Sequence, residues 1–487
     1  MTRAARLAEL GRRWRVEALL FLAGHNLILI HYVLIRRMTT ALADLETAAL
    51  LTALAYFAGV SLGYLRPLSL SAPRLLRLLP VFLAFQLALL ALGPLLARAL
   101  ARRAGEAAAE VGLFVLLALG STSLYAVFLP AAIGEGGRST ARCYAAEILG
   151  SLAGILAVAA LPRLGALAVH AAYLAAYLGV AALLGAPGGA LAATAALAAG
   201  SLATHDLIDR RLSEAIYRDD LNDGRPVRVL AAHTSPYQKI EVVEAEGRGR
   251  MLVLDGRLHF EPAGHDGYSY FAAEYPARLL GRPDTCVLGC GSMSTVGRIG
   301  DIAASIQIVD LDEGVFEASR AFFGEYNRLG ELRGWSFEPD DAKHFLATTP
   351  RTFDLILDDI PPARTRQIAL TYTREFFALV RARLRPRGIF SLPSLVPVTS
   401  RRSDYGRRVL ATLADVFDSV AVLTVRGSSY CFALGPALSL DEETLRGAID
   451  HPDAASARIM LPDEVRRHVR GAPVITAGNM ADLMMEE

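Results

Sequence analysis

The first two hundred residues are a succession of apolar runs, each about as long as a lipid bilayer is thick, and the remainder has a different texture. A helix that crosses a ~30 Å hydrocarbon layer needs roughly 20 mostly apolar residues. Runs of that length fall near 16–35, 45–65, 76–97, 109–133, 143–162, 166–186 and 188–205. The expectation is a polytopic α-helical membrane domain over 1–205 with about seven spans. A hydrophobic fraction of 53% and a mean hydropathy of +0.35 exceed what a soluble globule needs. All of that excess precedes Thr204. After Asp206 acids and bases mix at globular density, which puts a boundary near "THDLIDRR". The opening "MTRAARLAELGRRWR" carries five arginines and no small-residue cleavage site, so it reads as a retained anchor and not as a cleaved signal peptide.

The arginine bias that orients membrane helices is shallow here. The N-terminus and the loop with Arg66, Arg74 and Arg77 favour one side, and Arg36, Arg37, Arg98, Arg102 and Arg103 the other. Polar residues inside spans are costly and take a functional reading by default. His25, Asn26 and His31 lie in the first run, where interhelical hydrogen bonds are the plain reading for the two histidines. Glu147 precedes Gly150, Ser151 and Gly154, small residues at helical spacing that let another helix come close, and it is the better candidate for a lined cavity.

The net charge of +1 offers no basis for a nucleic-acid partner. Cys143, Cys286, Cys290 and Cys431 are too few and too scattered for a disulfide framework. Without histidines clustered around Cys286 and Cys290, no metal site is expected. A reducing compartment fits this cysteine usage.

From Val227 the period becomes that of strands: "VRVLAAH", "QKIEVVEA" and "RMLVLDG", the last two joined by the glycine-rich "EGRGR". A small β-strand domain is expected over 206–262. Strands then alternate with helices over 263–440, through "TCVLGCGSMSTVGRI", "IQIVDLDEGVFEASRAFF", "FDLILDDI" and "EFFALVRARLRPRGIFSL". That alternation predicts a parallel sheet with its ligand at the carboxyl ends of the strands. Four successive strand ends carry groups suited to a nucleoside: Gly289 and Gly291, Asp310 and Asp312, Asp341 with Ala342, and Asp358 with Asp359. A glycine turn admits close backbone approach, and an acid one strand later suits a ribose diol. The tail over 441–487, including "RIMLPDEVRRHVRG", reads as surface helix without chemistry.

The series "SPYQKIEVVE", "RMLVLDG", "HDGYSYFAAEYPARLL", "VLGCGS", "IVDLDEGV", "DDAKHF", "FDLILDDIPP" and "YTREFF" resembles the spermidine synthase family of polyamine aminopropyltransferases over roughly 227–435. The N-terminal half resembles the membrane domain carried by some bacterial members, with "YAAEILGSLAG" as the shared helix. The resemblance implies a class I methyltransferase-type Rossmann-like domain preceded by a small β-hairpin domain that helps cover the active site. It implies a donor of decarboxylated S-adenosylmethionine, an amine acceptor, no metal, and a homodimer. In residue terms it implies Gln238 on the nucleoside, Asp310 on the ribose, Asp341 and Ala342 at the adenine, and Asp359, with Asp358 beside it, as the base. Asp266 matches the leading aspartate and Tyr270 the tyrosine of one family motif, which implies Tyr270 among the catalytic residues and Asp266, with Tyr237, His259 and Tyr372, among those that bind the substrate. The location implied is a bacterial inner membrane, multi-pass, with the soluble half cytoplasmic.

Four departures stand out. Ser292 occupies the place of an acid that would hold the donor's free amine. Ala272 replaces a glutamate and His259 a glutamine, and the second acid of the catalytic loop is replaced within "DDIPP". Losing the acid at 292 removes a charge that would repel a carboxylate, which opens the way to intact S-adenosylmethionine. Two other readings therefore stand beside aminopropyl transfer. One is methyl or aminocarboxypropyl transfer to a membrane-delivered acceptor. The other is a polyamine or nucleoside sensor or transporter without turnover.

Overall fold

The computed structural model describes residues 3–42, 45–65, 73–120, 122–134, 139–289, 291–361, 363, 365–394, 398 and 404–480. Arg66, Cys290 and Pro362, which bear on the readings above, lie outside the described residues. The chain forms two compact units, 1–247 with 253–258, and 248–252 with 259–487.

Among the described residues of the first unit, six helices are long and apolar enough to cross a membrane: Trp14–Thr40, Glu46–Tyr64, Leu76–Ala104, Thr140–Ala160, Ala166–Leu184 and Gly188–Asp220. The expected run at 109–133 is a bent pair, Ala109–Gly120 and Ser123–Gly134, which makes a seventh if it counts as one span. Small residues set the closest helix contact, as the sequence predicts. A Cβ on Gly24 would collide with the carbonyl oxygen of Glu147, and one on Gly150 with that of Phe21, so the first helix lies directly against Thr140–Ala160. Asn26 makes the interhelical bonds, donating to Tyr125 Oη at 3.3 Å and the Tyr173 carbonyl at 3.1 Å. His25 and His31 differ from expectation: the Nδ1 of each is buried without a hydrogen-bond partner among the described residues. His31 instead packs edge-on against Tyr56. Glu147 is buried with the Tyr64 hydroxyl 3.5 Å from its carboxylate.

The last helix, Gly188–Asp220, runs unbroken through the boundary expected at 205–206. It leads to β1 (Val227–Thr234) and β2 (Lys239–Ala245), which pair antiparallel. With β3 (Gly249–Leu254) and β4 (Arg257–Phe260) they form a four-stranded sheet in the order β1-β2-β3-β4, so the expected hairpin is the centre of something larger.

Arginines at the helix ends bind β1 and β2 to the helices. Arg36 donates to the carbonyl of Pro236 at 2.9 Å and lies within 3.5 Å of those of Ser235 and Tyr237. Arg37 pairs with Asp209, whose carboxylate also holds Lys239 Nζ at 3.0 Å. Lys239 in turn reaches Glu241 at 2.9 Å, and Glu241 accepts from the Tyr217 hydroxyl. Charges this enclosed persist only when paired. Arg98 and Arg102 likewise pair with Asp220 and Asp219. Replacing Arg36 with alanine removes the donor that pins the 235–238 turn. Amide hydrogen exchange over 235–238 should accelerate by about tenfold or more, on the ~1.5–3 kcal/mol typical of a charge-assisted bond, while exchange over 284–288 and 353–358 in the second unit stays unchanged.

The second unit is built on an eight-stranded sheet. Its strands are β5 (Asp284–Leu288), β6 (Ser305–Asp310), β7 (Trp335–Pro339), β8 (Phe353–Asp358), β9 (Leu384–Ser394), β10 (Ser419–Val425), β11 (Ser428–Leu434) and β12 (Arg458–Met460). The spatial order is β12-β10-β11-β9-β8-β5-β6-β7. Strands β5 to β9 are parallel neighbours, and β10 to β12 close the sheet antiparallel. Alternate residues feed two cores, as strand geometry requires. Cys286, Leu288, Ile356 and Phe390 pack under the helices Arg374–Arg383 and Asp404–Val416. Val287, Leu355, Leu357 and Ile389 pack on the other face with Phe316 and Tyr275. The tail corrects its expectation, because β12 extends the sheet beside β10 and Val465 and Ile475 are fully enclosed in the core.

Candidate active site

Chain order in the sheet runs outward from β5, first to β6 and β7 on one side, then to β8 and β9 on the other. Such a reversal leaves a crevice at the carboxyl ends of the two central strands, here β5 and β8. Register sets what meets there. Leu288 is level with Val309 on β6 and with Asp358 on β8, and Asp310 is level with Pro339 on β7. Gly289, Asp310 and Asp359 therefore leave the sheet side by side. Backbone bonds fix the step, with Gly289 N donating to Val309 O and Asp359 N to Leu288 O, both at 2.8 Å.

The glycine turn after β5 has the backbone it needs. Gly289 sits at φ +77° with the Asp359 carbonyl where a Cβ would go. Gly291 sits at φ +36° against the ring of His259, so no side chain fits at either position. Ser292 is buried, and its hydroxyl donates to Ser294 at 3.0 Å while Asn327 Nδ2 holds its carbonyl at 2.7 Å. The position of the missing acid is thus a neutral serine inside a hydroxyl chain that continues to Ser269.

Asp359 is the best-furnished group in the crevice. Tyr268 donates to its Oδ1 at 2.8 Å and Thr295 to its Oδ2 at 2.7 Å. Burial pushes its carboxyl up to about 6, against the pull of those two bonds and with a further push from Asp310. Asp358 is more deeply enclosed. Its Oδ1 accepts from Ile360 N at 3.1 Å, its Oδ2 has no partner among the described residues, and burial raises it to about 8. Burial also holds His259 and His265 down at about 4, so both are neutral at pH 7. The His265 ring lies 4.9 Å from that of Tyr268.

The other residues singled out in the sequence divide into two groups. Asp310 Oδ1 accepts from Asp312 N at 2.8 Å. Asp312 and Asp341 act as helix caps, accepting from Gly314 N and His344 N, and Ala342 opens the helix that Asp341 caps. Tyr372 is buried over the same strand end, with its hydroxyl 3.4 Å from Pro361 O. Asp266 pairs with Arg298 at 2.8 Å. Tyr270 is not brought to Asp359: its hydroxyl accepts from Asp450 N and its ring stacks near His451. Tyr237 and Gln238 lie in the first unit, on the turn held by Arg36. Among the described residues no cluster of three or more metal-ligating side chains is present.

Sequence reasoning missed Tyr268 and Thr295. The stretch "HDGYSY" offers two tyrosines, and the π-helical turn at Tyr270–Glu274 changes the helical register just after them. Thr295 carried a weak signal, its place in the first turn after a glycine loop.

Two family models match the chain. Residues 289–430 match the Spermine/spermidine synthase domain, and 228–261 the Spermidine synthase tetramerisation domain. Both matched regions are similar to the spermidine synthase family. With these matches the chain is a transferase. A polyamine aminopropyltransferase of a Synechococcus strain is 28% identical over 232 residues, covering 44% of this chain and 72% of the relative. One from Aeropyrum pernix is 27% identical, covering 45% and 71%. One from Nitrosomonas europaea is 30% identical, covering 40% and 61%. Spermidine synthase from Thermotoga maritima aligns with a TM-score of 0.42 at 20% identity, covering 50% of this chain and 89% of that one.

A carboxyl raised in the folded state is protonated more readily than in the unfolded chain, so Asp358 lowers stability progressively as pH rises from about 4 to about 8. Asp358→Asn mimics the protonated group and keeps the acceptor for Ile360 N. The variant should match the parent in Tm near pH 4 and exceed it by a margin that grows up to pH 8, read by thermal denaturation across that range.

Proposed function

We propose that the chain is a membrane-embedded aminopropyltransferase that moves the three-carbon amino group of decarboxylated S-adenosylmethionine to an amine, releasing methylthioadenosine. The observation that carries this reading is Asp359, held by Tyr268 and Thr295 at the strand end beside the glycine turn and Asp310. In this reading the nucleoside lies across the ends of β5, β6 and β7, with Gly289 and Gly291 admitting it, Asp310 at the ribose, and Asp341 with Ala342 at the adenine. The acceptor nitrogen attacks the carbon beside sulfur. The C–N bond forms, the C–S bond breaks with its electron pair passing to sulfur, and the nitrogen's proton goes to Asp359. A sulfonium leaving group is already activated, so alignment and a neutral amine are the main requirements. Amines of pKa about 10 are protonated at pH 7, and a carboxylate near 6 both attracts the cation and takes its proton. The match to a tetramerisation domain at 228–261 supports self-association, with a homodimer as the simplest form.

A second reading has one specific support: Ser292 is neutral where an acid would repel a carboxylate. Intact S-adenosylmethionine would then serve as donor, with aminocarboxypropyl or methyl transfer as the chemistry.

Incubation of detergent-purified protein with either donor and a panel of amines, read by mass spectrometry, separates these readings. Amine-dependent methylthioadenosine from the decarboxylated donor is the expected product, with kcat/KM rising as pH passes about 6. Asp359→Asn should lower turnover by about 10²–10⁴-fold and spare nucleoside binding. S-adenosylhomocysteine, or methylthioadenosine from the intact donor, would replace the proposal with the second reading. Binding without product would leave a sensor or transporter.

A topology is part of this reading. Arg36 and Arg37 join the end of the first helix to β1 and β2, and Arg98 and Arg102 join the end of the third to Asp219 and Asp220. With seven crossings the N-terminus lies on the opposite face, outside when the catalytic half is cytoplasmic. Protease added to spheroplasts should remove an N-terminal epitope tag and leave a C-terminal one intact; the reverse pattern defeats this topology.

A further inference from the structure

The first unit contains a cavity of about 730 Å³ walled by four helices, including Val33 and Arg37 of the first, Leu87 of the third and His170 of Ala166–Leu184. The last helix lines it from Ala193 to Ile208. The fifteen helical rises of ~1.5 Å between them make this wall about 22 Å long, more than one leaflet's half of a ~30 Å hydrocarbon core. Its chemistry changes along that length. Toward Ala193 the walls are aliphatic, with Leu87, Leu90 and Leu197. Toward the end nearest β1 and β2 stand Arg37, His170, Ser201, Thr204 and His205, and no carboxylate lines it.

From this layout we infer that the cavity holds one phospholipid of the bilayer, its acyl chain along the last helix and its phosphate at Arg37 and His205. The inference rests on the membrane reading above and not on the chemistry at Asp359. An aliphatic slot with hydrogen-bond donors at one end suits an apolar chain with an anionic head; Asp209, which pairs with Arg37, and Asp206, whose Oδ1 lies 3.0 Å from His205 Nδ1, stand outside the lining. His170 adds a second observation. It is 4% exposed, its Nε2 lies 2.8 Å from Ser201 Oγ, and its Nδ1 is buried without a partner among the described residues. The last helix is rich in alanine and glycine, and a Cβ at Gly200 would meet open space, so protein side chains leave the slot unfilled. Arg37 also pairs with Asp209, which holds Lys239 of β2. The lipid's phosphate thus meets the same arginine that anchors the small sheet to the helices.

The test uses the full chain, delipidated in detergent and exposed in separate samples to phosphatidylglycerol, to diacylglycerol and to a free fatty acid of matched chain length. Bound lipid is counted by native mass spectrometry. The expected result is one phosphatidylglycerol per chain, retained at least tenfold better than diacylglycerol or fatty acid. Gly200→Phe fills the slot and should cut retention at least tenfold, with Ala196→Phe as the second variant should the first fail to fold. His205→Leu should weaken phosphatidylglycerol while leaving diacylglycerol unchanged. Retention unaffected by filling the slot overturns the site, and equal retention of diacylglycerol or fatty acid overturns the phosphate assignment. Aminopropyl transfer failing in the assay above leaves each of these outcomes readable, because none depends on turnover.

Discussion

The register of three parallel strands is the constraint on which the candidate site depends. Because Leu288, Val309 and Asp358 are level, the next residues of β5, β6 and β8 emerge together as Gly289, Asp310 and Asp359. A slip of one residue on β8 would turn Asp359 to the other face of the sheet. The two cores resist that slip, because Ile356 belongs to one and Leu355 and Leu357 to the other. The apolar alternation that makes the sheet also aims the carboxylates.

Placing an acid at the end of a buried strand has an electrostatic cost, and the pair at β8 divides it unequally. Asp359 receives two side-chain bonds that favour its charged form. Asp358 receives one backbone bond and stays protonated to about pH 8. Near neutrality the pair therefore carries one negative charge, on the residue that faces Tyr268 and Thr295. Two adjacent aspartates in sequence become one acid and one carboxylate through their surroundings alone.

Period-two and period-3.6 patterns made the helices, β5, β6, β8 and β9 legible from sequence, and the acids at their ends followed. What stayed hidden depended on geometry that such patterns do not carry. Tyr268 and Tyr270, two residues apart on one helix, point apart, and only the fold shows that Tyr268 is the one that meets Asp359. Asp312 and Asp341, read in the sequence as ligand groups, also cap the helices that follow them, which the pattern does not show. The polar tail concealed β12, a strand of three residues whose pairing with β10 is long-range. The arginines at 36, 37, 98 and 102 read as a topology signal, yet each has a backbone or carboxylate partner that only the folded unit supplies.

Those arginines also bear on why a soluble-type sheet is attached to a helix bundle. A flexible linker would let β1 and β2 move independently of the helices, whereas Gly188–Asp220 continues as one helix nearly to β1. The ion pairs then run without a break from Arg37 through Asp209 and Lys239 to Glu241. Glu241 is fully enclosed, and removing Lys239 would leave this buried carboxylate without its cation, at a cost of about 3–5 kcal/mol. The "SPYQ" turn inherits this rigidity because Arg36, one residue before Arg37, holds its carbonyls. The first membrane-type helix thus fixes a turn two hundred residues away in the chain, and the position of Gln238 depends on a part of the molecule that the matched family domains do not include.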